Sequence, residues 1–265
     1  MYETLEVERR NGVATLWMNR PELHNAFNET VIAELTRALR IFDDDEEVRV
    51  VVLAGRGKSF SAGADLNWMK RAAAYSLEEN LRDARALADM LKTLAFLSKP
   101  TLARVHGPAI AGGMGLVSAC DIAIASSRAV FATSEVKFGI IPSAISPYVI
   151  AAVGERQARR YFLTAERIDA SRALDLGLVH EVADADSFDA KVEEIIVALL
   201  TGGPKSQAAA KDLIRRVANG PITDQLIEDT AQRIARIRAT PEAVEGIGAF
   251  LEKRQAAWVQ TSKPN

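Results

Sequence analysis

A single cysteine, Cys120, stands in 265 residues, so no disulfide can form within the chain and a reducing compartment is expected. It falls in an apolar run that reads as helix, where a buried, inert thiol is the expectation. Histidine is also scarce. His24, His106 and His180 are far apart and show no metal-ligand spacing, so no metal site is expected. The formal charge of −2 gives no general attraction to nucleic acid or acidic membrane. No apolar run is long enough to span a bilayer. The opening Met1-Tyr2-Glu3-Thr4 lacks the charged-then-apolar layout of a secretory signal. The expectation is a cytoplasmic protein with neither a membrane nor a nucleic-acid partner.

What is present describes a soluble globule: 48% hydrophobic and 26% charged residues suffice for a substantial core. Val13–Met18 is a run of strand formers ended by Asn19-Arg20-Pro21. From Asn28, a plausible N-cap, the pattern turns helical, with Val31, Ile32, Leu35, Leu39 and Phe42 at spacings of three or four. Asp43-Asp44-Asp45-Glu46-Glu47 is a solvated turn, and residues 48–53 read as a strand buried on both faces. Ser76-Leu77-Glu78-Glu79 is a capping box opening a helix with Leu81, Ala84, Leu87, Leu91 and Leu94 on one face. Pro100 ends that helix and the next strand begins. Residues 116–125 read as one amphipathic run.

After Val182 the strand-type runs stop. Gly202-Gly203-Pro204 separates two helices, and another is expected from about Ile222, with Leu226, Ile234 and Ile237 near one face. Thr240-Pro241 supplies an N-cap and a proline at the first helical position. The pattern is α/β with a helical tail. Having no sheet of its own, the tail must bury its apolar faces on the core or on other subunits.

Chemistry enters at two small-residue turns. His106-Gly107-Pro108-Ala109-Ile110-Ala111-Gly112-Gly113-Met114-Gly115 follows the apolar segment Thr101–Val105. Glycines at 112, 113 and 115 let backbone approach a ligand closely, and a helix starting there adds positive potential. Taken alone, the cluster reads as a tight turn packed under a neighbouring element. A second turn of this kind follows residues 48–54: Phe60-Ser61-Ala62-Gly63-Ala64-Asp65-Leu66. Two amides, Ala64 and Gly112, could then share one oxyanion. Downstream, Glu135 lies between Phe131-Ala132 and Phe138-Gly139-Ile140-Ile141-Pro142, surroundings that push a carboxyl pKa upward.

Together with Arg20-Pro21-Glu22-Leu23-His24-Asn25-Ala26-Phe27, these turns resemble the crotonase family, the enoyl-CoA hydratases and isomerases. The resemblance runs from Gly12-Val13-Ala14-Thr15-Leu16 to Phe250-Leu251-Glu252-Lys253-Arg254. Leu16-Trp17-Met18-Asn19-Arg20-Pro21, Ala64-Asp65-Leu66-Asn67-Trp68-Met69 and Ser134-Glu135-Val136-Lys137 look most like the methylglutaconyl-CoA hydratases of leucine breakdown. The resemblance implies a spiral of ββα units over residues 1–200. It implies that residues 201–265 are a helical region building a homotrimer, or a hexamer made of two trimers.

The same resemblance implies a lyase that adds water to an α,β-unsaturated acyl-CoA. The coenzyme A thioester is then the substrate, and no cofactor is bound permanently. Catalytic roles fall to the amides of Ala64 and Gly112 as oxyanion donors and to Glu135 as general acid/base. Contacts to CoA fall to Glu22, Leu23, His24, Ala62, Asp65 (near the adenine end) and Leu66. Phe250 and Lys253 would reach the nucleotide held by a neighbouring subunit. The family usually sets two glutamates around one water, and here Gly115 stands at the first of those positions. Extra room and one charge fewer at Gly115 favour an acid-bearing acyl group, with Lys70, Arg71, Arg82 and Lys137 as candidate partners. Ser143 is a candidate to hold a water. One carboxylate also suffices for a Δ3,Δ2-enoyl-CoA isomerase, and a non-catalytic acyl-CoA-binding protein is the reading from another class.

Overall fold

The computed structural model describes residues 2–218 and 220–259. The chain opens with an antiparallel hairpin, β1 (Leu5–Arg10) and β2 (Val13–Met18), turned at Asn11 and Gly12, both at positive φ. In α1 (Glu29–Asp44) the expected cap is present: Asn28 Oδ1 accepts from the Val31 N–H at 2.9 Å. Its apolar stripe, Val31 through Phe42, is buried. β3 (Val50–Gly55) follows, then α2 (Leu66–Ala72), α3 (Leu77–Ala95) and β4 (Thr101–Val105). The middle of the chain is β5 (Ala109–Ile110), α4 (Gly112–Ala119), β6 (Ile122–Ser126), β7 (Val130–Ala132), a 3-10 turn (Glu135–Phe138) and α5 (Ser146–Thr164). β8 (Ile168–Asp169), α6 (Ala170–Asp175) and β9 (Glu181–Ala183) complete the strands, and helices α7 (Phe188–Thr201), α8 (Pro204–Val217), α9 (Asp224–Arg238) and α10 (Pro241–Leu251) follow.

These strands form two sheets, β1-β2-β3-β4-β6-β9 and β5-β7-β8. From β2 onward the large sheet is parallel, so each connection must cross over the sheet, and α1, α3 and α4 do so. β3 is buried at every position. Its Val51 and Leu53 face a core shared with α1, α3 and α4, whereas Val50 and Val52 pack under Phe188, Val192 and Ile196 of α7. Covering on both faces is why its sequence is a continuous apolar run. This repeated strand-turn-helix path is an α/β fold of the kind the crotonase resemblance implies.

Three expectations shift. Residues 116–125 are not one amphipathic helix: α4 ends at Ala119 and β6 starts at Ile122. Met114, Leu116, Val117 and Ala119 of α4 are all buried, so it has no polar face to give a periodicity. In α3 only the second half buries its stripe (Met90, Leu91, Leu94), while Leu77 and Leu81 are exposed. The expected helix at about Ile222 begins at Asp224, because Thr223 caps it by accepting from the Leu226 N–H at 3.2 Å.

Helices α8 to α10 pack on one another. Lys211 of α8 reaches Asp121 Oδ2 at 2.6 Å and the Lys99 carbonyl at 2.8 Å, and Arg49 donates to the Gly202 carbonyl at 2.6 Å. Among the described residues of these three helices only Leu226 and Ala249 are buried. No helix among the described residues is long and apolar enough to cross a membrane.

The start of β1 is tied to α1 by one buried carboxylate. Glu34 accepts from the amides of Glu3 and Thr4, each at 2.8 Å, and from the Thr4 hydroxyl at 2.7 Å. Burial alone would raise its pKa, but these donors outweigh it and hold the carboxyl below its ordinary value. Glu34→Ala leaves those buried donors unpaired and is expected to cost about 1–3 kcal/mol. Because the folded pKa is depressed, the contribution is present at neutral pH and fades as pH falls through the folded pKa. Thermal melts of the variant and the parent should therefore differ at pH 7 and converge in acid.

Candidate active site

The 20–27 segment is fixed first. Asn25, buried and at φ 55°, donates through Nδ2 to the carbonyls of Arg56 and Ser59, both at 2.8 Å, and accepts from the Arg20 amide at 2.9 Å. Arg20 in turn donates to the Ala26 carbonyl at 2.7 Å and pairs with Asp65 at 2.9 Å. Both side chains of that ion pair are largely buried. Asp65 also caps α2, accepting from the Asn67 and Trp68 amides. Burial would raise the Asp65 pKa, yet Arg20 and the cap amides hold it down. A buried pair of this kind is expensive to break from one side. It clamps the Arg20–Phe27 loop to the turn that carries Ala64.

Backbone bonds then run sideways across four segments. Phe27 donates to the Gly63 carbonyl at 2.6 Å, and Asp65 donates to the Phe27 carbonyl at 2.8 Å. Ser61 donates to the Pro108 carbonyl at 3.1 Å and accepts from Ile110 at 2.9 Å, which makes a parallel bridge to β5. β5 pairs with β7, and Ala111 continues that pairing by donating to the Ala132 carbonyl at 2.7 Å. The turn carrying Ala64, the end of β5 that leads into Gly112 and the end of β7 that leads to Glu135 are thereby joined side by side. Among the described residues neither the Ala64 nor the Gly112 amide donates to any acceptor.

Ala111 turns the chain from β5 into α4 at φ 50° and ψ −117°. For a residue with a Cβ this conformation is strained, on the order of 1–3 kcal/mol. It aims the first turn of α4, where the amides have no partner inside the helix and the dipole is positive. The glycines there serve packing. A Cβ at Gly112 would stand 2.6 Å from Phe27 Cε2. One at Gly115 would stand 2.2 Å from Ile145 Cγ2.

The second distance corrects an expectation. Gly115 does not leave room in the site, because buried Ile145, at the entry to α5, fills the space that a side chain would take. A glutamate at 115 would collide with that side chain.

Glu135 begins the 3-10 turn after β7. Its Oε2 is buried and has no hydrogen-bond partner among the described residues. Burial raises its pKa, opposed by the amides of Glu135 and Ser134. An unpaired buried carboxyl oxygen of raised pKa is suited to taking up and returning a proton.

The other expected residues divide by position. Glu22, Leu23 and His24 sit exposed on and beside the 3-10 turn Pro21–Leu23, and Ala62 joins them by donating to the His24 carbonyl at 2.9 Å. Leu66 is exposed at the start of α2. Asp65, expected near the adenine end of CoA, is tied into the protein. Its carboxylate, its N–H and its carbonyl, which accepts from Met69 at 2.9 Å, are all committed inside the protein. The geometry gives it a holding function. Phe250 and Lys253 are exposed at the end of α10, which packs on α8 and α9.

Several of the remaining candidates are held within the protein. Ser143 is a turn residue whose carbonyl accepts from the Ser146 hydroxyl at 2.7 Å. His106 bonds the Gly57 carbonyl at 2.9 Å, with its pKa lowered by burial, and His180 Nδ1 accepts from the Ala123 amide at 3.1 Å. Burial also pushes the Cys120 thiol far up, which removes it as a nucleophile. Arg71 is held by both oxygens of Glu29 at 2.7 Å. Lys137 is exposed on the Glu135 turn and enters no ion pair among the described residues. Sequence reasoning missed Asn25, Phe27 and Ile145, whose partners lie far along the chain. The Asn25-Ala26-Phe27 segment was visible as a motif, but nothing local showed what it held.

Residues 8–261 match the family described as enoyl-CoA hydratase/isomerase. A crystal structure of an enoyl-CoA hydratase from Shewanella pealeana superposes with a TM-score of 0.94 at 44% identity, covering 97% of this chain and 96% of that one. Enoyl-CoA hydratase ACTT6 of Alternaria alternata is 32% identical over 262 residues, covering 96% of this chain and 84% of its own. A 4-chlorobenzoyl coenzyme A dehalogenase of an Arthrobacter species is equally similar, 32% identical over 251 residues, covering 94% of this chain and 91% of its own. The chain belongs to the enoyl-CoA hydratase/isomerase family, a family of enzymes.

Proposed function

We propose that this enzyme adds water to an α,β-unsaturated acyl-CoA, using the Ala64 and Gly112 amides as an oxyanion hole and Glu135 as its single acid/base. The observation that carries the reading is the Glu135 Oε2, buried and unpartnered at the start of the 3-10 turn that follows β7, together with two amides that donate to no acceptor among the described residues. Ionised Glu135 takes a proton from water as the water oxygen bonds to the β carbon. The electron pair moves through the double bond onto the thioester oxygen, where two N–H donors hold the enolate. Glu135 then returns the proton to the α carbon, so water supplies both added groups. In this reading CoA lies along Glu22, Leu23, His24, Ala62 and Leu66.

A second reading has one specific observation behind it. Ile145 sets hydrocarbon, not a carboxylate, against Gly115. A lone Glu135 that carries a proton from the α to the γ carbon would make the enzyme a Δ3,Δ2-enoyl-CoA isomerase. Product mass separates the two, since only hydration adds a water. Glu135→Gln is expected to lower kcat by at least about 10²-fold while CoA binding persists. Near-parental turnover would sink the assignment. The parent's kcat/KM should fall in acid as Glu135 protonates, with the limb above the ordinary glutamate value of about 4.3, because burial raises this pKa.

For the acyl group the proposal is a branched, acid-bearing one, methylglutaconyl-CoA first, as in leucine degradation. Lys137 on the Glu135 turn is the candidate for its distal carboxylate, since Arg71 is held by Glu29. Methylglutaconyl-CoA should then show a kcat/KM well above that of crotonyl-CoA, and Lys137→Met should erase most of the difference. Equal turnover of both substrates by the parent would rule this out.

Assembly into a homotrimer, or a hexamer of two trimers, is part of the same proposal. Val244, Ile247, Phe250 and Leu251 are all more than half exposed on α10, as are Ile214 of α8 and Ile227 of α9, and the three helices pack on one another. An apolar surface of this kind calls for a partner. Sedimentation should give three or six copies, and truncation before Pro204 should abolish assembly. A soluble, active monomer from the truncated chain would contradict it.

A further inference from the structure

We infer that Phe27 is a positioning residue that sets the spacing between the Ala64 and Gly112 amides. The inference rests on the oxyanion reading above. Phe27 is 1% exposed and touches both halves of the site in different ways. Its main chain brackets Ala64, donating to Gly63 on one side and accepting from Asp65 on the other. In a parallel bridge those two bonds use the groups that face Phe27, so the Ala64 amide between them points to the opposite side.

Its ring does the second part. Three ring atoms, Cε2, Cδ2 and Cζ, would lie 2.6, 2.9 and 3.6 Å from a Cβ on Gly112. The ring therefore lies directly against the glycine's Cα. A buried aromatic ring in a packed core has nowhere to retreat. One residue thus fixes one amide by hydrogen bonds and the other by contact, although the two turns are far apart along the chain. The strained Ala111 adjoins this contact, so the start of α4 is held by Phe27 on its face and by Ala111 at its entry.

The need for glycine at 112 then follows from the ring rather than from the donor. Alanine has the same N–H, and only its methyl group would meet Phe27. Gly112→Ala accordingly moves a donor without deleting it, and displacements on the order of 1 Å are costly in catalysis.

The test compares Gly112→Ala, Phe27→Leu and the double variant by three readouts: kcat against KM, the infrared carbonyl stretch of bound enoyl-CoA, and thermal melting. The parent should shift the thioester carbonyl to lower frequency on binding. Gly112→Ala should lose most of that shift and about 10- to 100-fold in kcat, with KM changed less than about threefold. Adding Phe27→Leu should restore at least about fivefold of that kcat, because the smaller side chain relieves the contact. A Gly112→Ala enzyme with parental shift and kcat would overturn the inference, as would a double variant in which the two losses simply add. If Phe27→Leu melts below the assay temperature, Gly112→Ala decides alone. A parent that shows no carbonyl shift at all would instead overturn the oxyanion reading beneath it.

Discussion

Everything proposed for this enzyme depends on a lateral set of backbone hydrogen bonds joining Phe27, residues 61–65, β5 and the end of β7. Each segment in that set is short. Two are isolated bridges and one strand has only two residues, so no single segment would hold its conformation unaided. Long-range anchors compensate: the buried Arg20–Asp65 pair and the three hydrogen bonds of the Asn25 side chain. The large sheet supplies the rigid backing, with β3 covered on both faces. The donors in this arrangement are main-chain amides, fixed without side-chain entropy and therefore ready before substrate arrives.

Charge is placed sparingly around those donors. Glu135 is desolvated and keeps one oxygen unpaired, whereas Asp65 and Glu34, also buried, are fully hydrogen-bonded and held in the ionised form. The contrast separates a carboxyl built to exchange protons from carboxylates built to hold structure. Ile145 extends the economy by filling the space beside Gly115 with hydrocarbon. In the proposed hydration Glu135 then serves in both directions, as base when water adds and as acid when the enolate is quenched.

Local signals carried much of the architecture. The Asn28 cap and its apolar stripe, the Ser76 capping box and the Thr240-Pro241 start all appear in the structure, because each is decided within one or two helical turns. The continuous apolar run of β3 was likewise readable. The boundary between α4 and β6 was not, since an eight-residue helix buried all round has no polar face to mark its end. Nor was the fate of the space at Gly115. It is decided by Ile145, and the commitment of Asp65 by Arg20, through contacts no short window contains. The two turns and Glu135 could be named from residues and resemblance, but what holds them together is tertiary.

The central claim is that an enolate forms against the Ala64 and Gly112 amides with Glu135 moving the proton. Incubation of a saturated acyl-CoA with the enzyme in D2O tests it without committing to hydration or isomerisation, because neither a double bond nor an added water is involved. Mass spectrometry should show deuterium entering the α carbon with the parent enzyme and at least about 10²-fold more slowly with Glu135→Gln. No incorporation by the parent, or equal incorporation by the Glu135→Gln variant, would contradict the account.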